Sequence, residues 1–156
     1  MSDTTETAAQ PQPSLKILAQ YVRDLSFENP NAPHSLAGNP PEIAVGVNVQ
    51  AKSLAENDYE VELKLEAKAE RDGKTVFLIE LAYAGVFHIE NVPANVLQPI
   101  LLIECPRQLF PFARQIMANA SQQGGFMPLM LEPLDFGVIY QRRMQQAANA
   151  TASGNA

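Results

Sequence analysis

The sequence predicts an α+β fold, an antiparallel sheet with helices on one side of it, and three observations carry the prediction. From Tyr59 to Ala69 the odd positions are apolar or aromatic (Tyr59, Val61, Leu63, Leu65, Ala67, Ala69) and the even ones charged (Glu60, Glu62, Lys64, Glu66, Lys68). A period of two describes a strand with one buried and one wet face. Arg71-Asp72-Gly73-Lys74 follows, and Asp-Gly readily accepts the positive φ of a tight hairpin. Finally, strand patterns come first and helical spacing after, without the alternation that builds a parallel sheet.

Taken in order, residues 1–13 are small, polar and proline-containing, which predicts a disordered tail. Leu15, Ile17, Ala19, Tyr21, Leu25 and Phe27 alternate with Lys16, Gln20, Asp24, Ser26 and Glu28, a first strand interrupted on its apolar side by Arg23. Pro30, Pro33, Pro40 and Pro41 make the next segment a crossing loop. Ile43, Val45, Val47, Val49 and Ala51 form a second strand, and residues 52–57 a connecting turn. The return strand of the hairpin, Thr75 to Ile89, is apolar on its odd side (Phe77, Ile79, Leu81, Tyr83, Phe87, Ile89) and largely on its even side (Val76, Leu78, Ala82, Ala84, Val86). Such a strand is covered on both faces, and one chain of this length covers one of them, so a second molecule is expected on the other.

Beyond the sheet, residues 91–104 contain Pro93 and Pro99 and predict a short or kinked helix at most. Pro111 suits a first helical turn, with Phe112, Ala113, Ile116, Met117 and Ala120 at helical spacing and Gly124-Gly125 as the stop. Residues 126–133 are apolar and aperiodic. Asp135 caps a last helix bearing Phe136, Ile139, Tyr140, Met144 and Ala147. The organisation is therefore a tail (1–13), one domain (14–148) and a flexible C-terminal tail (149–156).

Composition narrows the function. A formal charge of −6 over 156 residues argues against a phosphate-backbone binder and an anionic membrane surface. Ile100 to Ile103 is too short an apolar run to span a bilayer, and no secretory signal pattern opens the chain. One cysteine, Cys105, excludes an internal disulfide and fits a reducing cytoplasm. His34 and His88 lack metal-ligand partners at the usual spacing, and Cys105 reads as a buried inert thiol. Neither a phosphate loop nor a Gly-x-Ser-x-Gly elbow occurs. The sequence predicts no enzyme, no cofactor and no metal. Two features resist a purely structural reading. Phe126 to Leu131 is either core or the lining of a groove open to an extended apolar chain. Leu78 and Glu80, on the even side of the hairpin's second strand, suit a docking patch for a basic, zinc-bearing or helical partner.

SFENPNAPH, TVFLIELAYAGVFHI, ECPRQLFPFAR and GGFMPLMLEPLDF, in this order, resemble the SecB family of bacterial protein-export chaperones, over about residues 15–146. The resemblance implies a four-stranded antiparallel sheet with helices beside it, assembled as a dimer of dimers. It implies ATP-independent binding of unfolded secretory precursors in the cytoplasm and their delivery to the translocation ATPase SecA. Matching positions imply SecA contacts through its zinc-binding C-terminal segment at Asp24, Glu28, Leu78 and Glu80, and oligomer contacts at Ile79, Leu81 and Tyr83. Tyr83 replaces the polar residue often found there. The implied client groove lies between the crossing loop (Pro33, Leu36) and the helix-connecting loop (Phe126, Met127, Leu129, Leu131). The alternatives are a chaperone of this fold serving a toxin–antitoxin system and a small-ligand-binding oligomer.

Overall fold

The computed structural model describes residues 11–153; most of the predicted N-terminal tail and the last residues of the C-terminal one lie outside them. Strands β1 (Ser14–Glu28), β2 (Glu42–Ala55), β3 (Asp58–Arg71) and β4 (Lys74–Glu90) form an antiparallel sheet in the order β1-β4-β3-β2. The β3–β4 turn is the predicted Asp72-Gly73, with φ of 52° and 74°. Between β2 and β3 the expected turn over residues 52–57 shrinks to Glu56-Asn57, with Asn57 at φ 64°. The register shifts between Ser53 and Ala55, an irregularity that takes up part of the expected turn before pairing ends at Ala55 and Asp58.

Strand β1 departs from simple alternation. Register breaks between Ile17 and Ala19 and between Val22 and Asp24 mark two bulges. Each extra residue moves the following side chains to the other face. Ile17, Val22, Leu25 and Phe27 therefore share one face, opposite Phe87, Tyr83, Leu81 and Ile79 of β4, while Tyr21 pairs with Ala84 and faces the other way. The run Leu15, Ile17, Ala19, Tyr21 is not one apolar face, and Arg23 lies at the second bulge.

The helices form a longer run than the prolines suggest. Helix α1 (Ala94–Pro99) passes through a π-helical segment (Ile100–Glu104) into α2 (Cys105–Gln123). Pro99 and Pro106 bring no N–H to the ladder, and widening the turn between them accommodates the missing bonds without ending the helix. Helix α2 thus starts before Pro111, which sits inside it. Helix α3 (Phe136–Ser153) opens where predicted, the Val138 N–H donating to Asp135 Oδ1 at 3.1 Å. It continues past Asn149, because the alanines of the predicted flexible tail are strong helix formers.

The core lies between one sheet face and these helices: Leu63, Leu65, Ile79 and Phe87 meet Cys105, Leu109, Met117 and Phe136. Gly85 permits the approach of α2, since a Cβ there would lie 2.9 Å from Leu109 Cδ2. On the opposite face, Ala82 and Ala84 of β4 are also buried, without a second molecule. They are short and sit between strands with long side chains. Tyr21 and Glu62 flank Ala84 in the register, Tyr21 and Arg23 bond to Glu60, and Arg23 pairs with Glu62 at 3.5 Å. These amphipathic chains arch over the alanines, so this part of the face is covered within the chain, while Leu78 and Val86 stay half-buried.

Candidate docking surfaces

The register assembles the four predicted docking residues into one patch on the face away from the helices. Glu28 pairs with Leu78, Ser26 with Glu80 and Asp24 with Ala82. Asp24, Glu28 and Glu80 are exposed and Leu78 half-buried. Across β3, Glu66 stands directly opposite Glu80 and adds a negative charge. Asp24, Glu28 and Glu80 have no ion-pair partner among the described residues. The patch is thus an apolar contact point ringed by free carboxylates, a surface complementary to an apolar group with cationic neighbours.

The predicted groove residues divide. Met127 (87% exposed) and Leu36 (50%) stand open to solvent, and Pro33 is exposed. Phe126 and Leu129 are half-buried: the Phe126 ring lies 4.9 Å from that of Phe77, and the Leu129 N–H donates to Ser121 Oγ at 2.8 Å. Leu131, at 5% exposure, belongs to the core and supports the loop from beneath. The two loops meet at Gly124-Gly125. Asn29 Nδ2 donates to the Gly124 carbonyl at 3.3 Å, and a Cβ on Gly125 would fall 2.9 Å from Leu36 Cδ2.

From Gly124 the apolar surface extends onto β1 and α2. Val22, Leu25, Phe27, Ile116 and Ala120 line an open groove of about 540 Å³. Simple alternation missed Val22, since the second bulge is what holds it and Leu25 on one face. The irregularity at Arg23 was the one trace of this in the sequence.

The predicted oligomer residues do not reach a surface. Ile79 and Leu81 are buried beneath α2, and so is Tyr83, whose hydroxyl donates to Gln20 at 3.0 Å and whose ring stacks on Phe112 with centroids 6.4 Å apart. Phe112 is the member of that stack that faces outward.

Among the described residues, Cys105, Glu60 and His88 are shifted from their ordinary values by burial and close partners. Burial, with the charge of Glu104, pushes the Cys105 thiol up to about 12, so it stays protonated and unreactive. The Tyr21 hydroxyl and the Arg23 and Lys52 cations hold the Glu60 carboxyl below its usual value. Bonds to Asp58 (2.6 Å) and Glu90 (2.7 Å) raise His88. Among the described residues no three His, Cys, Asp or Glu side chains are grouped to hold a metal, and no helix is long and apolar enough to cross a membrane.

Known proteins share both sequence and fold with this chain. A family profile described as preprotein translocase subunit SecB matches residues 8–147. The protein-export protein SecB of Nitrobacter winogradskyi is 58% identical over 147 residues, covering 93% of this chain and 91% of that protein. That of Azorhizobium caulinodans is 50% identical over 158 residues, covering 99% and 96%. A solved structure of a Mycobacterium tuberculosis SecB-like chaperone, in complex with a peptide from an antitoxin, superposes with a TM-score of 0.65 at 13% identity, covering 77% of this chain and 90% of that one. With a profile match over nearly the whole chain and relatives above half identity, the chain belongs to the SecB family.

Proposed function

We propose that this protein is a passive, nucleotide-independent chaperone that holds unfolded secretory precursors in the cytoplasm and hands them to SecA. The observation that carries this reading is the apolar track from Val22 and Leu25, past Phe27 and Gly124, to Leu36, with the exposed Met127 two residues beyond Gly125. Contiguous exposed apolar surface of this kind marks a binding site. A binder that takes only the unfolded form shifts the folding equilibrium of its client by mass action. Burying about 400 Å² of client apolar surface gains on the order of 10 kcal/mol gross at ~25 cal/mol/Å². Ordering the client offsets much of this, which leaves single-site affinity about micromolar. A dimer of dimers then holds one long client at several sites through effective concentration. In that assembly Ile79, Leu81 and Tyr83 act by supporting α2, whose outward Phe112 is free to meet a neighbour.

Docking falls to the other face. Asp24, Glu28, Leu78 and Glu80 suit a compact zinc-bearing segment with basic residues, as expected of the SecA C-terminus. Separation of the two faces lets client and SecA bind together. Calorimetry on two charge-reversed or polar variants tests this division. Glu80→Lys should lose binding of the SecA segment and keep a denatured precursor, and Met127→Asp with Leu36→Asp should do the reverse. If each variant loses both partners or neither, the division fails.

A further inference from the structure

The crossing loop over residues 29–41 has one short 3₁₀ turn, His34–Leu36, and its backbone bonds among the described residues all lie within residues 29–37. A single side chain outside it holds three carbonyls in its second half. From the end of β3, Arg71 Nε donates to the Asn39 carbonyl at 2.5 Å, and Nη1 donates to those of Ala37 at 2.9 Å and Ser35 at 3.3 Å. Gly38 lies against the same guanidinium. It has φ +111°, and a Cβ there would come 3.3 Å from Arg71 Nε, so the chain wraps the guanidinium only because this residue has no side chain. Ser35, Ala37 and Arg71 line a cleft beside the hairpin turn, whereas Leu36, between them in sequence, points to the other side and rests on Gly125.

We propose that Arg71 is a positioning residue for client binding: a guanidinium outside the apolar track fixes the loop that presents Leu36 to the client. This rests on the reading of the track as the client site. Without the three donors, the carbonyls of Ser35, Ala37 and Asn39 turn to water and the loop samples open forms. A client must then order the wall it binds, which weakens affinity and speeds release. Arg71 drew no attention in the sequence except as a turn residue, because its partners lie more than thirty residues away.

The test compares the intact protein with Arg71→Met, which keeps the apolar stem and removes the donors, and with Arg71→Lys, which restores the charge and fewer donors. Gly38→Ala crowds the guanidinium and also strains the loop at φ +111°, so combining it with Arg71→Met separates the two effects: the pair should add little to Gly38→Ala alone if the clamp is already lost. Amide exchange is read at Leu36 and Ala37, whose N–H groups bond to Pro33 and His34 carbonyls, and release of a labelled denatured precursor is timed in parallel. Arg71→Met and Gly38→Ala should exchange at least about tenfold faster at these amides and release client roughly five- to tenfold faster, as expected for loss of charge-assisted bonds to a wall that the client must reorder. Arg71→Lys should fall between, and thermal unfolding should move little. Unchanged exchange in both Arg71→Met and Gly38→Ala overturns the clamp. Faster exchange with unchanged release overturns the link to the client while leaving the clamp. If the unaltered protein holds no denatured precursor, the client site itself fails and the inference falls with it.

Discussion

The ring of Phe27 fills the space that a side chain on Gly124 would need: a Cβ there would fall inside the van der Waals envelope of the ring. Gly124 has an ordinary helical φ of −76°, so its smallness serves packing and not backbone freedom. Phe27 in turn stacks on Phe77, which meets Phe126. The contact therefore joins β1, β4 and the loop after α2 at the point where the apolar track turns.

Gly124→Ala should cost about 1–3 kcal/mol by overpacking, read as a lower midpoint in urea at unchanged slope. A midpoint equal to that of the unaltered protein would show that the ring has room to move.

The charged lid over Ala84 makes stability depend on pH at both ends. Partial burial and the bond to Glu60 raise the Tyr21 phenol to about 12. Its contribution is complete below its ordinary value near 10 and is lost as pH rises towards 12. The Glu60 carboxyl, held low chiefly by that hydroxyl, contributes above the ordinary carboxylate range and ceases to do so as pH falls through its lowered value. Tyr21→Phe should flatten both limbs of a stability–pH curve and cost about 1 kcal/mol near neutrality, allowing for solvent screening. Parallel curves for the two proteins would argue that the lid is not coupled.

His88 stands between Asp58 and Glu90, with Lys16 opposite it on β1. Its raised value means that protonated His88 stabilises the ends of β3 and β4 fully below its ordinary pKa, and that this is lost as pH rises through the raised one. His88→Gln should remove that step from a melting-temperature series and leave the alkaline limb due to Tyr21. An NMR titration placing His88 at or below the free-histidine value would contradict the geometry.

Much of the fold was legible from side-chain period and turn chemistry. The hairpin over β3 and β4 was fixed by strict alternation and Asp-Gly, and the start of α3 by Asp135. The failures share one cause, the response of neighbouring structure to a local irregularity. The β1 bulges are invisible to a count of alternating residues, yet they decide that Val22 faces the helices and Tyr21 the charged lid. Pro99 read as a kink and Pro111 as a first helical turn, while the π-helical segment carries the helix past Pro99 into α2 and leaves Pro111 in its interior. For the docking surfaces, the resemblance named Asp24, Glu28, Leu78 and Glu80, alternation put each pair on the even side of its own strand, and the register brings the two sides together. The alternation of β4 already puts Ile79, Leu81 and Tyr83 on a covered side, but that helices of the same chain cover them, and that Leu131 joins the core, depends on where the helices and the last loop settle.

Cys105, fully buried with a thiol raised to about 12, should resist an aromatic disulfide reagent at pH 8 in the native protein and react at the rate of global unfolding. Rapid labelling without denaturant would show that α2 opens locally.

The most direct test of the account is light scattering by a reduced, denatured precursor diluted into buffer without nucleotide, with this protein present as itself or as Leu25→Asp combined with Met127→Asp. The account predicts that the unaltered chain suppresses aggregation at near-stoichiometric amounts, and that the double variant, equally stable and of the same native mass, fails to do so. Equal suppression by both, or none by either, would contradict the claim that the apolar track along β1 and the two loops holds unfolded chains.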